Sequence, residues 1–394
     1  MKTNLRSWAE VDLDAIGHNV REIKKCLHEG VKLLAVVKAD GYGHGAYQTA
    51  VTALKNGAEY LAVAFLDEAI ELRQKGIDVP ILILGNSTDS DIDGIVDMDI
   101  TAAVSDADFA KKLSDSATKK GKTARIHIKI DTGMSRIGFL TDSKTNQSCS
   151  CDEILKISKL RNLEIEGIFT HFASSDEPDG GYTQMQFDRF MSINEELEKN
   201  GLHIPIKHAC NSAGIVRFPH MQLDMVRAGI IIYGMYPSRN FDKTLIDLIP
   251  AMTFKSRITQ IKEYDKGTCL SYGMTHTLEA KSRIATVSVG YADGYRRNLS
   301  GRVKISVNGN CVEQLGRICM DQCMIDVTKV NNINVGDEVT LFGTTGVSVD
   351  CIAELLDTIN YEVTCGISKR VPRIYIENGE KIGICNHLLN EEYL

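Results

Sequence analysis

From residue 33 to about 240 the chain alternates short apolar runs with stretches whose apolar residues recur at helical spacing. The runs are LLAVV (33–37), YLAVAF (60–65), PILILG (80–85), ITAAVS (100–105), RIHIKI (125–130), EIEGIFTHF (164–172), IPIKHA (204–209) and QLDMVRAG (222–229). Most lie roughly 20–40 residues apart, the spacing of strand–helix units. Between them, FLDEAIELRQKG and DADFAKKLSDSATKKG read as helices that stop at Gly. Eight strand-like runs alternating with helices predict an α/β fold, a (β/α)8 barrel. On periodicity alone a doubly wound open sheet is the alternative.

Near residue 240 the pattern changes. FKSRITQIKEY, SRIATVSVG, RVKISVNGNCVEQLGRI and EVTLFG read as strands with few helices between them. Asn308-Gly309 and the Asn-Gly of IYIENGEKIGI are hairpin-turn signals. One helix, VDCIAELLDTIN, interrupts the strands. The expected organisation is a barrel over 1–240 and a β-rich domain over 241–394. The segment AEVDLDAI either precedes the first helix or packs, with the first ten or so residues, on the second domain.

Composition narrows the function. A chain of 394 residues exceeds what one core usually carries. Hydrophobic residues at 43% and charged residues at 25% are ordinary for a globular protein. A net charge of −7 argues against nucleic acid as a partner. The 11 cysteines are scattered and form no CxxC, which gives zinc little support and fits a reducing, cytoplasmic setting. The N-terminus has no signal-peptide core, and no run approaches a membrane span.

In a barrel, catalytic groups sit at the C-terminal ends of the strands. The first run ends in Lys38, before the glycine-rich ADGYGHG. The fifth carries His127, Lys129 and Asp131, alternating with isoleucines. The sixth ends in Thr170 and His171, the seventh in His208 followed by Cys210, Asn211 and Ser212, and the eighth in Arg227. Any one polar strand end is explained by water; the set is harder to explain so. Lys129 lies mid-run, and lysine is almost never buried unpaired. Arg136 pairs with it only if the amine becomes an anion. A desolvated, neutral amine can add carbon dioxide to form a carbamate. NSAG (211–214) and RAGI (227–230) are small-residue turns after the last two runs, where barrels bind phosphate. A lysine at such a mouth suits a Schiff base with pyridoxal phosphate. GYGHG lacks the full Rossmann and P-loop patterns.

At these residues the sequence resembles the alanine racemase family. KADGYGHG is similar to its pyridoxal-phosphate lysine motif and KIDTGMSRIGF to its barrel-strand signature. THF, HACNSA and VRAGI(I)IYG follow in the family's order, as do SYG (271–273), GYADG (290–294), GRICMDQ (316–322) and INYEV…ISKRVPR (359–373). The resemblance spans essentially the whole chain. It implies that Lys38 holds the cofactor and serves as one base. It makes Tyr272 the opposite base, reaching in from the partner subunit of a homodimer with shared active sites. Removal of the α-proton on one face and return on the other is racemisation. The resemblance further implies that Arg227 hydrogen-bonds the pyridine nitrogen, supported by His208. By the same resemblance Tyr42, Ser212, Gly229 and Ile230 match the phosphate cradle, Asn211 is a further cofactor-binding residue, and His171 matches a residue beside the ring. Arg136 binds the substrate carboxylate, and Lys129 is the carbamylated lysine. Met320 and Asp321 line the partner's substrate pocket, with Tyr291 at its entrance. The expected product, D-alanine, serves peptidoglycan.

One position departs from the family. Before RVPR, where the family often has tyrosine, this chain has Lys369. That leaves L-/D-serine, the substrate of vancomycin-resistance-type members, as the alternative to alanine. Their membrane domain is not in this chain. A basic amino-acid decarboxylase fits Tyr272 and GRICMDQ poorly. A non-enzymatic pyridoxal-phosphate carrier does not explain the β-rich part. A metal-dependent barrel hydrolase using His127, His171 and His208 lacks the HxH pair on the first strand.

Overall fold

The computed structural model describes residues 5–389 and the backbone of 391–393. The chain divides into two compact units. One comprises Ile16–Gly41 and Ala46–Leu248; the other comprises Met1–Ala15, Tyr42–Gly45 and Ile249–Leu394. The division after the barrel falls at Leu248/Ile249, where the sequence pattern placed it near 240.

The first unit is the expected barrel. Its eight strands are Lys32–Val36, Tyr60–Val63, Ile81–Ile83, Thr101–Val104, Ala124–Asp131, Leu163–Phe169, Ile206–His208 and Met225–Ala228. They pair in parallel in chain order, and Met225–Ala228 pairs with Lys32–Val36. The last two strands meet through Arg227 N to Cys210 O (3.0 Å) and Asp224 N to Lys207 O (3.1 Å), which closes the ring. The strands read as unbroken apolar runs because both faces are covered. Leu33, Leu34, Ala35, Ile126, Ile128 and Ile130 are all fully buried. Helices such as Ala107–Lys119 return the chain between strands, here started by Asp106, whose carboxylate accepts from Phe109 N.

In the second unit the long strand Met252–Tyr264 is the hinge of the sheet. Six strands, Ser282–Val287, Cys323–Asp326, Asn310–Leu315, Lys304–Val307, Glu338–Phe342 and Met252–Tyr264, follow one another and close through pairing of the last with the first. Ser7–Asp12 adds antiparallel to Met252–Tyr264 and parallel to Arg373–Glu377. The segment AEVDLDAI therefore does both things expected of it: its first half is a strand of this sheet, and its second begins the helix Leu13–Lys25. Both Asn-Gly turns form, with φ of 47° and 76° at Asn308 and Gly309 and 53° and 75° at Asn378 and Gly379. Positive φ at both central residues matches the right-handed twist of the flanking strands.

Candidate active site

The strand after which Lys38 falls ends in a conformation the sequence does not announce. Ala39 (φ 53°, ψ 49°), Asp40 (53°, 50°) and Gly41 (60°, 44°) form a left-handed turn, and Tyr42 continues it at φ 52°. Each non-glycine residue there costs roughly 1–2 kcal/mol relative to a right-handed turn. Specific bonds hold it. Gly41 N donates to Val37 O (2.9 Å), and Ala46 N donates to Asp40 Oδ1 (3.0 Å). Glu68 accepts from Ala39 N (2.7 Å) with one oxygen and from Ala64 N (2.8 Å) with the other. Strain stored next to one side chain, and held by its surroundings, is characteristic of functional positions.

Across the barrel mouth, Arg227 is buried and donates to backbone oxygens of Thr170 (2.6 Å), Ala209 (2.9 Å) and His208 (3.1 Å). Its Nη1 also donates to His208 Nδ1 (2.9 Å). A guanidinium can only donate, so Nδ1 of His208 is the acceptor and Nε2 carries the proton. That proton points to His127 Nδ1 (2.8 Å), which leaves His127 Nε2 to donate to Glu166 (3.0 Å). Both imidazoles are thus neutral. Burial, and the positive charge of Arg227, push the pKa of His208 well down. Burial also lowers that of His127, against the pull of Glu166. With both ring nitrogens of each already used, these two histidines are poorly suited to ligate a metal.

Four basic side chains act on His171. Burial, followed by the charges of Arg227, Lys129, Arg136 and Lys38, keeps this imidazole neutral, its pKa well below the usual value. Lys129 is 2% exposed and its Nζ donates to Ile130 O (2.9 Å). Desolvation, then the charges of Arg227 and Arg136, push its pKa down to about 7. Asp131 is the carboxylate facing Lys129, and its Oδ1 already accepts from Gly133 N (2.9 Å) and Ser135 N (3.0 Å). Positive charge from several elements is thus felt at one place beside His171.

The turns after the last two strands meet. Gly229 N donates to Ser212 Oγ (2.9 Å), which leaves the hydroxyl proton of Ser212 to donate elsewhere. Asn211 fixes this turn, accepting from Gly214 N (3.0 Å) and Ser175 Oγ (2.7 Å). Ile230, buried, starts the short helical turn Ile230–Tyr233.

The remaining candidates belong to the β-rich unit. Tyr272 is 71% exposed, between Ser271 (φ 64°), Gly273 (φ 72°) and Met274 (φ 49°). Ser271 Oγ pins this strained turn to Arg317 O at 2.7 Å. Met320, Asp321, Tyr291 and Lys369 are also exposed. Tyr42 is buried in this unit, with its ring 6.0 Å from that of Tyr361 and its phenol pushed up in pKa by burial. Gly43 beside it must be glycine, because a Cβ there would lie 2.2 Å from Thr364 O.

Two carboxylates contribute that no motif marks. Glu166 closes the chain of bonds from Arg227, and Glu68 holds the turn after Lys38. Glu166 has a visible signal, an acidic residue inside the apolar run EIEGIF. Glu68 has none, since it looks like any acidic residue in the first turn of a helix.

Residues 11–237 match the alanine racemase N-terminal domain and residues 251–375 the alanine racemase C-terminal domain. An alanine racemase of Clostridium tetani is 49% identical over 385 residues, which is 97% of this chain and 98% of the relative. The structure of the alanine racemase of Clostridium difficile 630 superposes with a TM-score of 0.94 at 43% identity, covering 98% of this chain and all of that one. That of Bacillus anthracis, solved with bound L-Ala-P, gives 0.92 at 37%, covering 99% and 100%.

Proposed function

The chain belongs to the alanine racemase family, and we propose that it interconverts L- and D-alanine using two bases, Lys38 and Tyr272 of the partner subunit, in a site that holds pyridoxal phosphate. It is an isomerase of amino acids, and the shared substrate of its relatives favours alanine over serine. The observation that carries the proposal is the charge inventory around His171. The positive charges of Arg227, Lys129, Arg136 and Lys38 are all felt at this one imidazole. Such a donor set fits a group bearing a phosphate and a substrate bearing a carboxylate.

When bound, pyridoxal phosphate supplies an electron sink that acidifies the α-carbon of an amino acid. The chain's own residues do the rest. Lys38 Nζ would hold the cofactor covalently and move the α-proton on one face. The phenol oxygen of Tyr272 moves it on the other. Arg227, held as a donor by its bonds, would offer an N–H to the ring nitrogen of the cofactor and so favour its unprotonated form. His171, kept neutral, packs beside the ring without adding charge. Ser212, Gly229 and Ile230, with Tyr42 by family resemblance, would hold the phosphate, and Asn211 would be a further cofactor contact. Arg136 orients the substrate carboxylate.

Lys129, with its pKa lowered to about 7, is about half amine at neutral pH, and that form would attack carbon dioxide. The new N–C bond forms as the amine proton leaves to solvent, and the carbamate anion then answers Arg136. The roles of the two regions follow: the barrel region (1–240) carries the cofactor, and the β-rich region (241–394) completes the partner's site in a homodimer. Exposure of Tyr272 (71%), Met274 (70%) and Met320 (53%) supports a partner that covers them. Eleven free cysteines support a reducing cytoplasm, and D-alanine made there serves peptidoglycan. No helix among the described residues is long and apolar enough to cross a membrane.

Purified protein given L-alanine is expected to yield D-alanine until both enantiomers are equal. Lys38→Ala is expected to lose the visible absorption of the bound cofactor together with activity. A variant that keeps the wild-type absorption spectrum would show that the cofactor is held elsewhere.

A further inference from the structure

Three loops of the β-rich unit carry the exposed candidates Tyr291, Met320–Asp321 and Lys369, and they converge on one buried carboxylate. Asp293 is fully buried. Its Oδ2 accepts from Gly290 N (3.0 Å) and Arg6 Nη1 (3.1 Å), and its Oδ1 accepts from Arg370 Nε (2.7 Å) and Arg6 Nη2. All four acceptor sites of the carboxylate are therefore used.

The backbone repeats the convergence. Tyr291 N and Ala292 N donate to Cys319 O and Met320 O, both at 3.0 Å, while Ser368 N donates to Asp293 O at 3.1 Å. The fit leaves no spare room. A Cβ on Gly290 would lie 2.2 Å from Cys319 O, and one on Gly294 would lie 2.4 Å from Gly366 O. The 290–294 turn is thus wedged between the backbones of 319–320 and 366–368. Arg370 completes the link, because its Nη2 donates to Asp321 while its Nε is held by Asp293. Lys369 stands between Ser368 and Arg370, two residues that Asp293 fixes, one by its carbonyl and one by its carboxylate.

We propose that Asp293 is a positioning residue that sets the relative placement of Tyr291, Met320, Asp321 and Lys369, and through them the size of substrate the enzyme accepts. The ion pairs are charge-assisted and one partner is wholly buried, so the geometry is stiff rather than merely attractive. Arg6, which comes from the strand side, anchors the carboxylate and donates to Ser288 O (3.0 Å), with no hydrogen bond to Tyr291, Met320, Asp321 or Lys369 among the described residues. It therefore separates stability from placement. The meaning given to the pocket rests on the racemase reading; the placement itself does not.

The test compares Asp293→Asn, Arg370→Lys and Arg6→Ala with the wild type, using kcat/KM for L-alanine and for L-serine. Arg370→Lys keeps a point charge but cannot bridge Asp293 and Asp321 at once. Asp293→Asn and Arg370→Lys are expected to change the alanine/serine ratio roughly tenfold, about 1.4 kcal/mol. Arg6→Ala is expected to lower Tm and leave the ratio unchanged. If Asp293→Asn does not fold, Arg370→Lys carries the comparison alone. A ratio unmoved in Asp293→Asn and Arg370→Lys, or moved as far by Arg6→Ala, overturns the proposal. Amide hydrogen exchange provides a readout that needs no turnover. Exchange at 290–292, 319–322 and 368–371 is expected to quicken in Asp293→Asn well beyond that in Arg6→Ala, and equal quickening in both overturns the proposal. A wild type that does not turn over alanine would refute the racemase reading, while the exchange result would still decide the placement.

Discussion

Arg227 donates to Nδ1 of His208 across 2.9 Å, and this bond fixes the protons of two buried histidines. His208 must then donate to His127, and His127 to Glu166. Four side chains from different strands form one directed chain that ends on a carboxylate. Its effect is to hold Arg227 rigidly as a donor in a place where burial pulls its pKa down to about 10. At neutral pH it is still a cation.

Replacing His208 by Leu removes one acceptor from a buried guanidinium and the donor to His127. Hydrogen bonds to charged groups contribute about 1.5–3 kcal/mol, and the urea midpoint of His208→Leu is expected to fall accordingly. Racemisation is expected to slow by about tenfold as Arg227 loosens. An unchanged midpoint would mean that the bond contributes nothing net.

Lys129 gives a pH dependence with a definite sign. Its pKa in the folded protein lies near 7, below the usual lysine value. The reactive amine is the deprotonated form, so carbamate occupancy should rise as pH passes upward through about 7 and fall on acidification. Carbon-13 NMR in labelled bicarbonate at about pH 6 and pH 8 reads this directly. Equal or absent carbamate signal at both pH values would refute the assignment. Lys129→Met should show no such signal at either pH.

Much of the barrel was legible because its strands are covered on both faces and therefore written as continuous apolar runs. Lys38, Lys129 and Arg227 stood out as charges where such runs contain or meet them. The turn after Lys38 was not legible. Its left-handed course is set by Glu68 and Asp40 bonding to backbone N–H groups, and neither residue differs in sequence from an ordinary surface acid. The strand Ser7–Asp12 was also open, because its partners Met252–Tyr264 and Arg373–Glu377 lie far along the chain. Nothing local marks Asp293, because its guanidinium partners come from Arg6 and Arg370, far apart in the chain.

Lys369 makes the one departure from the family consequential. Lysine is a flexible point charge where tyrosine is a rigid ring, so under the proposed pocket assignment the wall beside it would be softer. Lys369→Tyr is expected to raise the alanine/serine ratio of kcat/KM several-fold, on the order of 1 kcal/mol. An unmoved ratio would place the control of substrate size at other residues.

The central claim is that two bases act on opposite faces of the α-carbon, one removing a proton and the other delivering a different one. In deuterium oxide, initial-rate conversion of L-alanine should give D-alanine carrying deuterium at the α-carbon, while the unreacted L-alanine keeps its protium. A base that takes the proton on one face cannot hand it to the other, so the proton delivered comes from solvent. D-alanine that retains the substrate's own α-hydrogen at early times would show a single base returning it, and would contradict the account.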